Sequence, residues 1–504
     1  MRHCFFLPLV AALASPLSAS GTPLLESRVG GLSLVGPATA HPASVFYNPA
    51  TLTLLPGHHA FLDGTYRLGI GSAARRQTTA ETGAPTAGSS SQDLREQFPQ
   101  LFLGLTSDLG SETVVVSVIL HTPYAYRYSY LRGPSEGSLF DPGAQGPTRY
   151  HAVDFTLFHL YVTPAASFKL ADFLSVGVSF SYVFGLLDYS FVRDAALSGG
   201  SVRSGGQYVG LDDCGAGSAC NYGADAAAEA VHVRGKSNSV AFALGVLGRP
   251  HPNVDIGLAY VSRVLGIGGD NIPAKGEAWV RRSAASLANA AKDPELSGVE
   301  RDLSGRGTVS YSLPDMVHLG VTWRVRPRLA LGLQLHWIHF GVHDNLDIRL
   351  SGSRFHDRPV VPDRIVHYRG FQDVWGGQLS AAYQLTKHLQ LQAASLVQSS
   401  AVPSDAASPA AVDNLTVDSF VSLVWSLPRR VTLRVGYGLE LMPSAKAADS
   451  VYSPSDMVAC VDGHYDVELP QCQRATAGRG LASAAGEYSL MTHRFGMSIS
   501  YDVW

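Results

Sequence analysis

Hydrophobic and polar residues alternate along many segments of the chain. In residues 329–337 the odd positions are Leu or Trp, whereas the even positions are Ala, Gly, Gln and His. Residues 176–184 and 431–441 also carry an apolar side chain at every second position. Successive side chains of a β-strand point to opposite faces, so this period predicts strands with one apolar face.

Fourteen segments of this kind predict fourteen strands. They cover residues 58–70, 98–106, 112–121, 152–168, 174–190, 236–248, 254–265, 314–325, 329–348, 372–385, 388–398, 415–427, 430–441 and 488–504. Their connections alternate strictly between short and long. The short ones are 107–111, 169–173, 249–253, 326–328, 386–387 and 428–429, and the long ones are 71–97, 122–151, 191–235, 266–313, 349–371, 399–414 and 442–487.

This alternation places all short turns at one end of the sheet and all long loops at the other. The arrangement is typical of a bacterial outer-membrane β-barrel, whose closure satisfies every backbone hydrogen bond within the lipid. A soluble β-sandwich or a secreted β-helix also contains alternating strands, but neither explains the asymmetry of the connections. We predict an all-β fold in which residues 58–504 form a 14-stranded antiparallel transmembrane β-barrel with extracellular long loops.

The cost of placing charge in lipid predicts which face of a strand points inward. Arg or Lys on the lipid face near the bilayer midplane costs about 2–4 kcal/mol, so Arg434 and Glu440 are expected to face the lumen. Arg434 is a candidate contact for a solute carboxylate, and a solvated lumen charge is the alternative. Aromatic girdles are expected near the strand ends. Their candidates are Tyr66, Trp323, Trp337, Trp375, Trp425 and Tyr488.

The composition agrees with a β-rich protein and limits its partners. The 504 residues are 46% hydrophobic and 16% charged, and they include 51 Gly and 28 Pro, which punctuate strands and turns. A formal net charge of -3 provides no global field that would attract nucleic acid. We therefore expect no nucleic-acid partner, and we expect a monomer.

The first 20 residues have the pattern of a secretory signal peptide. A basic start at residues 2–3 precedes an apolar run at residues 4–14, and small residues at 18–20 provide a cleavage site. A single membrane anchor is the alternative, but the run is much shorter than the roughly 20 residues that a spanning helix needs. We predict cleavage and export into an oxidising compartment.

The cysteines that follow the signal form two close pairs, Cys214 with Cys220 and Cys460 with Cys472. Each pair lies in a predicted extracellular loop, where oxidising conditions favour disulfides. Zinc binding is the alternative, but neither pair has the roughly two- to four-residue gap of a zinc knuckle. We predict two local disulfides with a structural role.

No motif for catalysis, phosphate binding or metal binding occurs in the context that it requires. The sequence lacks a His-Glu-x-x-His helix. Gly-Pro-Ser-Glu-Gly at 133–137 lies in a predicted long loop rather than at a strand-to-helix turn, and Gly-Lys-Ser at 235–237 follows Ala230 where a phosphate-binding loop has Gly. His336, His339 and His343 are close in sequence, but the first two point to opposite faces of a strand. We predict no enzymatic activity, no cofactor and no metal site.

Residues 21–57, before the first predicted strand, show no sustained alternation. The segment is rich in Gly and Ala, and small residues allow backbone to pack closely in a confined space. The sequence therefore predicts a structured plug inside the barrel.

Residues 43–52 of this segment read Ala-Ser-Val-Phe-Tyr-Asn-Pro-Ala-Thr-Leu and are followed by Leu-Pro-Gly at 55–57. They resemble the N-terminal hatch of the FadL/TodX family of outer-membrane transporters for hydrophobic compounds. The Asn-Pro-Ala core at 48–50 is the most specific element of the resemblance. Later segments that also resemble the family are 313–323, 372–385, 389–395 and 399–404.

The resemblance implies a barrel with an N-terminal hatch and passive transport of hydrophobic small molecules, such as fatty acids or aromatic and aliphatic hydrocarbons. The solute would enter an apolar pocket in the lumen and leave through a lateral opening, usually at the third strand, here 112–121. The hatch motif would hold the plug near that opening, and a simple Asn-Pro turn is the alternative. Its residues are Asn48, Pro49 and Ala50, with Phe46 and Tyr47 as apolar neighbours.

Other expectations follow from the same resemblance. Pro123 lies just after the third predicted strand and is expected to be an ordinary strand stop, and the lateral opening itself is the alternative. Outer-membrane lipid and lipopolysaccharide are the expected surroundings. Residues 497–503 alternate one step out of the usual phase with the chain end, which departs from the family pattern. The long loops carry no family signature, so the solute itself is not predicted. A surface barrel with an adhesive or structural role and a closed lumen is the alternative function.

Overall fold

The computed structural model describes residues 24–25, 28–78, 85–129, 153–194, 203–204, 207–208, 228–282, 302–352, 364–404, 406–447 and 484–502. The predicted signal peptide, the four paired cysteines and the last two residues lie outside these ranges. Within these ranges, no helix combines the length and the apolar character that crossing a membrane requires.

The described residues form a closed antiparallel barrel of fourteen strands, as the alternation predicts. Nine strands are continuous: β1 His58–Thr78, β2 Pro85–Ser107, β3 Val114–Ser129, β4 Asp154–Ala171, β5 Leu174–Asp194, β6 Ala228–His251, β11 Leu389–Gln398, β12 Thr416–Leu427 and β14 Gly486–Asp502. Five are divided into segments: β7 Val254–Val261, Leu265–Gly266 and Ile272–Arg281, β8 Asp302–Tyr311 and Met316–Arg326, β9 Leu329–Ile338 and Asn345–Ser351, β10 Arg364–Tyr368 and Val374–Gln384, and β13 Val431–Leu441 and Ala445–Ala447. Pairing of β1 with β14, from His59 opposite Asp502 to Arg75 opposite Gly486, closes the barrel.

The lipid-facing surface follows the predicted phase. Leu331, Leu333 and Leu335 of β9 are exposed, and so is every second residue of β14 from Phe495 to Tyr501. One girdle prediction is wrong, because Tyr488 lies on the inward face of β14 and is completely buried. Its hydroxyl donates a hydrogen bond to the carbonyl of Ala484.

Two predicted loops are largely strand. Residues 71–78 and 85–97 extend β1 and β2, and the range 266–313 contains segments of β7 and β8. These extensions are rich in Gly, Ser, Ala and charged residues rather than alternating apolar residues. Apolar alternation marks only strand surface in contact with lipid, so the strand ends beyond the lipid lack the signal.

Strands β8, β9 and β10 are interrupted at one level of the barrel, just beyond Ile338 on the side of the long loops. At these breaks Phe340 and Phe371 are buried, with their ring centroids 6.1 Å apart. The connection from β11 to β12 joins them, since the amide of Gln372 donates to the carbonyl of Ala401 at 2.7 Å. These segments cover the lumen on the loop side.

The chain before β1 lies inside the barrel as a hatch. It contains two short 3₁₀ helices, Pro42–Phe46 and Pro49–Leu54, and most of its side chains from Leu32 to Leu52 are buried. The second helix packs against β4, β5 and β6. The hatch therefore occupies part of the lumen and lies against these wall strands.

Candidate functional site

Asn48 joins the hatch to the barrel wall. Its Nδ2 donates to the carbonyl of Pro37 at 2.7 Å and to the carbonyl of Val246 on β6 at 3.0 Å. Its Oδ1 accepts from the amide of Ala50 at 2.9 Å and so caps the helix that Pro49 begins. Asn48 is completely buried, and both amide hydrogens are used.

Glycines on the wall allow this close approach. A Cβ at Gly245 would overlap Oδ1 of Asn48, and a Cβ at Gly177 would overlap the backbone of Ala50. A Cβ at Gly257 would overlap the carbonyl oxygen of Pro37. The motif therefore lies directly against β5, β6 and β7 rather than in open lumen.

Phe46 and Tyr47 lie on the lumen side of the motif. The hydroxyl of Tyr47 accepts a hydrogen bond from the amide of Val29 at 3.0 Å, which holds two parts of the hatch together. The Phe46 ring contacts Tyr47 at 5.1 Å and His121 of β3 at 5.4 Å between centroids. The Phe46 ring thus connects the hatch with the third strand.

Two cavities adjoin this ring. The hatch cavity lies between the hatch and strands β8 to β11. The kink cavity, named for the adjacent kink in β3, lies between Val45, Phe46 and strands β3 to β8. Phe46 and Met316 line both cavities, so these two side chains separate them.

The third strand is distorted beside the kink cavity. His121 pairs with Tyr161 of β4 and Tyr124 pairs with His159, so Thr122 and Pro123 form a bulge, which we call the β3 kink. The prediction that Pro123 ends the strand is wrong, because β3 continues to Ser129.

Pairing between β2 and β3 is lost at the same level. Phe102 pairs with His121 and Glu96 with Tyr128, but the intervening residues 97–101 and 122–127, which the structure describes, form no ladder pair with each other. A proline without an amide hydrogen is tolerated where no partner strand needs that hydrogen. His121 and Tyr124, on either side of the β3 kink, line the kink cavity. The wall therefore has a lateral break next to this cavity.

Sequence reasoning missed Arg28, the cation that lines the hatch cavity. Its Nε donates to Oδ2 of Asp418 at 2.9 Å, its Nη2 to the carbonyl of Asp418 at 2.9 Å, and its Nη1 to Oε1 of Gln378 at 2.7 Å. Arg494 also pairs with Asp418, at 2.7 Å, and with Glu440. Arg28 is the only Arg or Lys in residues 21–57, and a lone cation in a plug indicates an acidic partner in the wall.

Arg434 faces the lumen, as the strand phase predicts. Its Nη1 donates to Oγ of Ser33 in the hatch at 2.5 Å and to Oγ of Ser498 at 2.9 Å. It lines neither cavity. Its contact with a solute carboxylate stays a prediction, as do the two disulfides, whose cysteines lie outside the described residues.

Comparison with solved structures agrees with this architecture. A FadL homologue of Pseudomonas aeruginosa is 15% identical, and the match covers 97% of this chain and 100% of that chain with a TM-score of 0.69. The toluene transporter TodX of Pseudomonas putida is 12% identical over 96% of this chain and 99% of that chain, with a TM-score of 0.61. The toluene transporter TbuX of Ralstonia pickettii is 14% identical over 96% and 98%, with a TM-score of 0.55.

At the level of sequence, no curated protein matches the chain. A family model does match, and it covers residues 10–414, from the predicted signal through the hatch to the connection after β11. The family is described as outer membrane protein transport protein (OMPP1/FadL/TodX). The hatch and the closed barrel described above accord with this match, and the chain therefore belongs to the OMPP1/FadL/TodX family of outer-membrane transport proteins.

Proposed function

We propose that the protein carries hydrophobic molecules passively across the outer membrane. A solute passes from the hatch cavity, past Phe46 and Met316, into the kink cavity, and leaves sideways at the break between β2 and β3. One observation carries this route: the two cavities share Phe46 and Met316, and the second cavity adjoins the residues on either side of the β3 kink. Lateral exit spares an apolar solute from crossing the aqueous periplasm-facing end of the barrel.

The solute class rests on the lining and on the family. Leu25, Val35, Phe46 and Met316 give the hatch cavity an apolar side. Two of the similar structures are named as toluene transporters, which supports aromatic hydrocarbons among the solutes. Aliphatic hydrocarbons and fatty acids are further candidates.

The remaining features of the proposal concern assembly and chemistry. Exit through the wall of a single barrel needs no second subunit, which supports action as a monomer surrounded by phospholipid and lipopolysaccharide. Because the matching family consists of transport proteins, we also propose that the protein has no enzymatic activity.

The route is tested by uptake of labelled toluene and labelled long-chain fatty acid into liposomes that contain the purified protein. Ala125 lies in the part of β3 that has no ladder pair with β2 and is buried, so Ala125→Trp is expected to fill the break and to reduce flux at least severalfold. Val118→Trp, on the exposed lipid face of the same strand, is the matched control and should retain normal flux. Circular dichroism confirms that both variants fold.

Equal uptake by liposomes with and without the protein would contradict transport and favour a closed surface barrel. Normal flux in folded Ala125→Trp, together with clear transport by the unaltered protein, would contradict the lateral exit alone.

A further inference from the structure

A row of polar side chains lines the wall of the hatch cavity at one level. His318 of β8 pairs with His336 of β9, which pairs with Gly376 of β10, which pairs with Gln398 of β11. The two imidazole centroids are 6.3 Å apart. A Cβ at Gly376 would overlap the His336 ring, so the missing side chain makes room for that ring. Three hydrogen-bonding groups thus converge on one cavity.

These groups have capacity that the protein does not use. Neither ring nitrogen of His318 has a hydrogen-bond partner among the described residues, although only 3% of the residue is exposed. Nε2 of His336 and Nε2 of Gln398 lack a partner of good geometry among the described residues, but these two side chains interact with each other, so His318 has the clearest unused capacity. Leaving a buried polar group unsatisfied is costly, so a ligand that supplies a partner binds more tightly.

The position of His318 directs this capacity into the cavity. Its ring contacts Tyr47 of the hatch at 5.3 Å and Phe46 at 6.5 Å between centroids. A neutral imidazole offers one donor and one acceptor. A hydroxyl or carbonyl group that enters between the hatch and the wall can therefore bond to His318 while its apolar body packs on Phe46.

The charges near the cavity disfavour an anionic ligand. Each of the three guanidinium nitrogens of Arg28 donates one hydrogen bond, to Asp418 or to Gln378. Within the described part of the chain, Arg28 and Arg494 balance Asp418 and Glu440, so these four side chains carry no excess positive charge. A carboxylate bound here would be buried without a cation of its own, which is costly.

We propose that the hatch cavity is a binding site for neutral hydrophobic molecules that carry one hydroxyl or carbonyl group, with His318 as the hydrogen-bonding residue. The inference rests on the proposed transport function and narrows its solute class. It separates such molecules from plain hydrocarbons, which leave His318 unsatisfied, and from carboxylates, since the carboxylates of the wall already offset the charges of Arg28 and Arg494.

The test measures equilibrium binding of three probes with the same apolar body to the full chain in nanodiscs, with empty nanodiscs subtracted. The probes are 4-butylphenol, butylbenzene and 4-butylbenzoate. We expect 4-butylphenol to bind more tightly than the other two. One neutral hydrogen bond contributes about 0.5–1.5 kcal/mol, so His318→Leu should weaken 4-butylphenol binding about 2- to 10-fold and should leave butylbenzene binding within about twofold.

Two further variants separate hydrogen bonding from packing. His318→Gln retains a donor and an acceptor and should keep 4-butylphenol binding within about threefold of the unaltered protein. His159→Leu removes another buried histidine, one that bonds Tyr311 and lines neither cavity, and should leave the preference unchanged.

Three results would overturn the proposal: equal weakening of all three probes by His318→Leu, tightest binding of 4-butylbenzoate, or equal affinity for 4-butylphenol and butylbenzene. Liposome flux of butylbenzene is measured in parallel and tests transport itself. Flux without the binding preference rejects this inference alone, whereas the preference without flux rejects the proposed function.

Discussion

Phe98 of β2 and Phe158 of β4 bring their ring centroids within 6.0 Å of each other, although β3 lies between these two strands in the sheet. Phe98 belongs to the part of β2 that has no ladder pair with β3, and Phe158 pairs with Ala125 beside the β3 kink. The small Ala125 side chain leaves room for the two rings. This aromatic pair therefore covers β3 where the wall is broken.

We predict that Phe98→Ala increases flux of an aromatic solute through the protein. An aromatic pair contributes about 0.5–1.5 kcal/mol. If the pair of Phe98 and Phe158 keeps the break covered, its loss corresponds to about a 2- to 10-fold rise in the rate of solute exit. Liposome uptake measures the change. Phe168→Ala, which removes an exposed ring from β4 away from the break, is the control. Unchanged uptake in Phe98→Ala would show that the ring pair does not limit exit.

The lipid-facing part of the fold could be predicted from sequence because lipid imposes a strict pattern. Leu331, Leu333 and Leu335 must face outward, and this pattern places β9 in the wall and fixes its phase. Beyond the lipid no such constraint acts, so the long ends of β1 and β2 were predicted to be loops. The β3 kink was not predicted for another reason. A proline occurs both at strand ends and at breaks within a strand, and only the register of β3 with β2 and β4 shows that Pro123 lies at a break.

The candidate site was predictable only where its residues are adjacent in sequence. Asn48 and its neighbours form a contiguous motif, so their place in the hatch could be proposed in advance. Arg28 and Asp418 are separated by 390 positions, and no spacing rule connects them. His318 and His336 become neighbours only through the pairing of β8 with β9.

We predict that Asn48→Ala loosens the hatch without unfolding the barrel. The change removes the donors to Pro37 and Val246 and the cap on Ala50, and each buried group left unsatisfied costs about 1–3 kcal/mol. Hydrogen exchange in residues 37–50 should accelerate strongly, whereas exchange in the wall strands should change little. Thr53→Ala, which removes half-buried hydrogen bonds of the same helix, should have a smaller effect. Equal acceleration in both variants would contradict the anchoring role of Asn48.

We predict that Asp418→Asn is strongly destabilising and that a second substitution relieves part of the loss. Asp418→Asn leaves Arg28 and Arg494 with Glu440 as the remaining carboxylate of the cluster, and breaking a buried ion pair in this way costs about 3–5 kcal/mol. Arg28→Met combined with Asp418→Asn restores the charge balance and should recover stability. Urea unfolding of both single variants and the double variant gives the coupling free energy. Additive losses would show that the two side chains act independently.

We predict that the connection from β11 to β12 opens more readily as pH rises. Burial raises the pKa of Asp413 to about 8, against the opposing effect of hydrogen bonds from the amides of Ala401 and Asn414. The folded connection thus keeps Asp413 protonated, whereas the opened connection ionises near the ordinary value of 3.8. The stabilisation is complete below that value and is lost as pH rises towards 8. Limited proteolysis of residues 399–415 at pH 6 and pH 9, corrected with an unstructured peptide, should show faster cleavage at pH 9. Asp413→Asn has no ionisable group, so its corrected cleavage rate should be independent of pH, and a persistent pH dependence in this variant would assign the effect to another group.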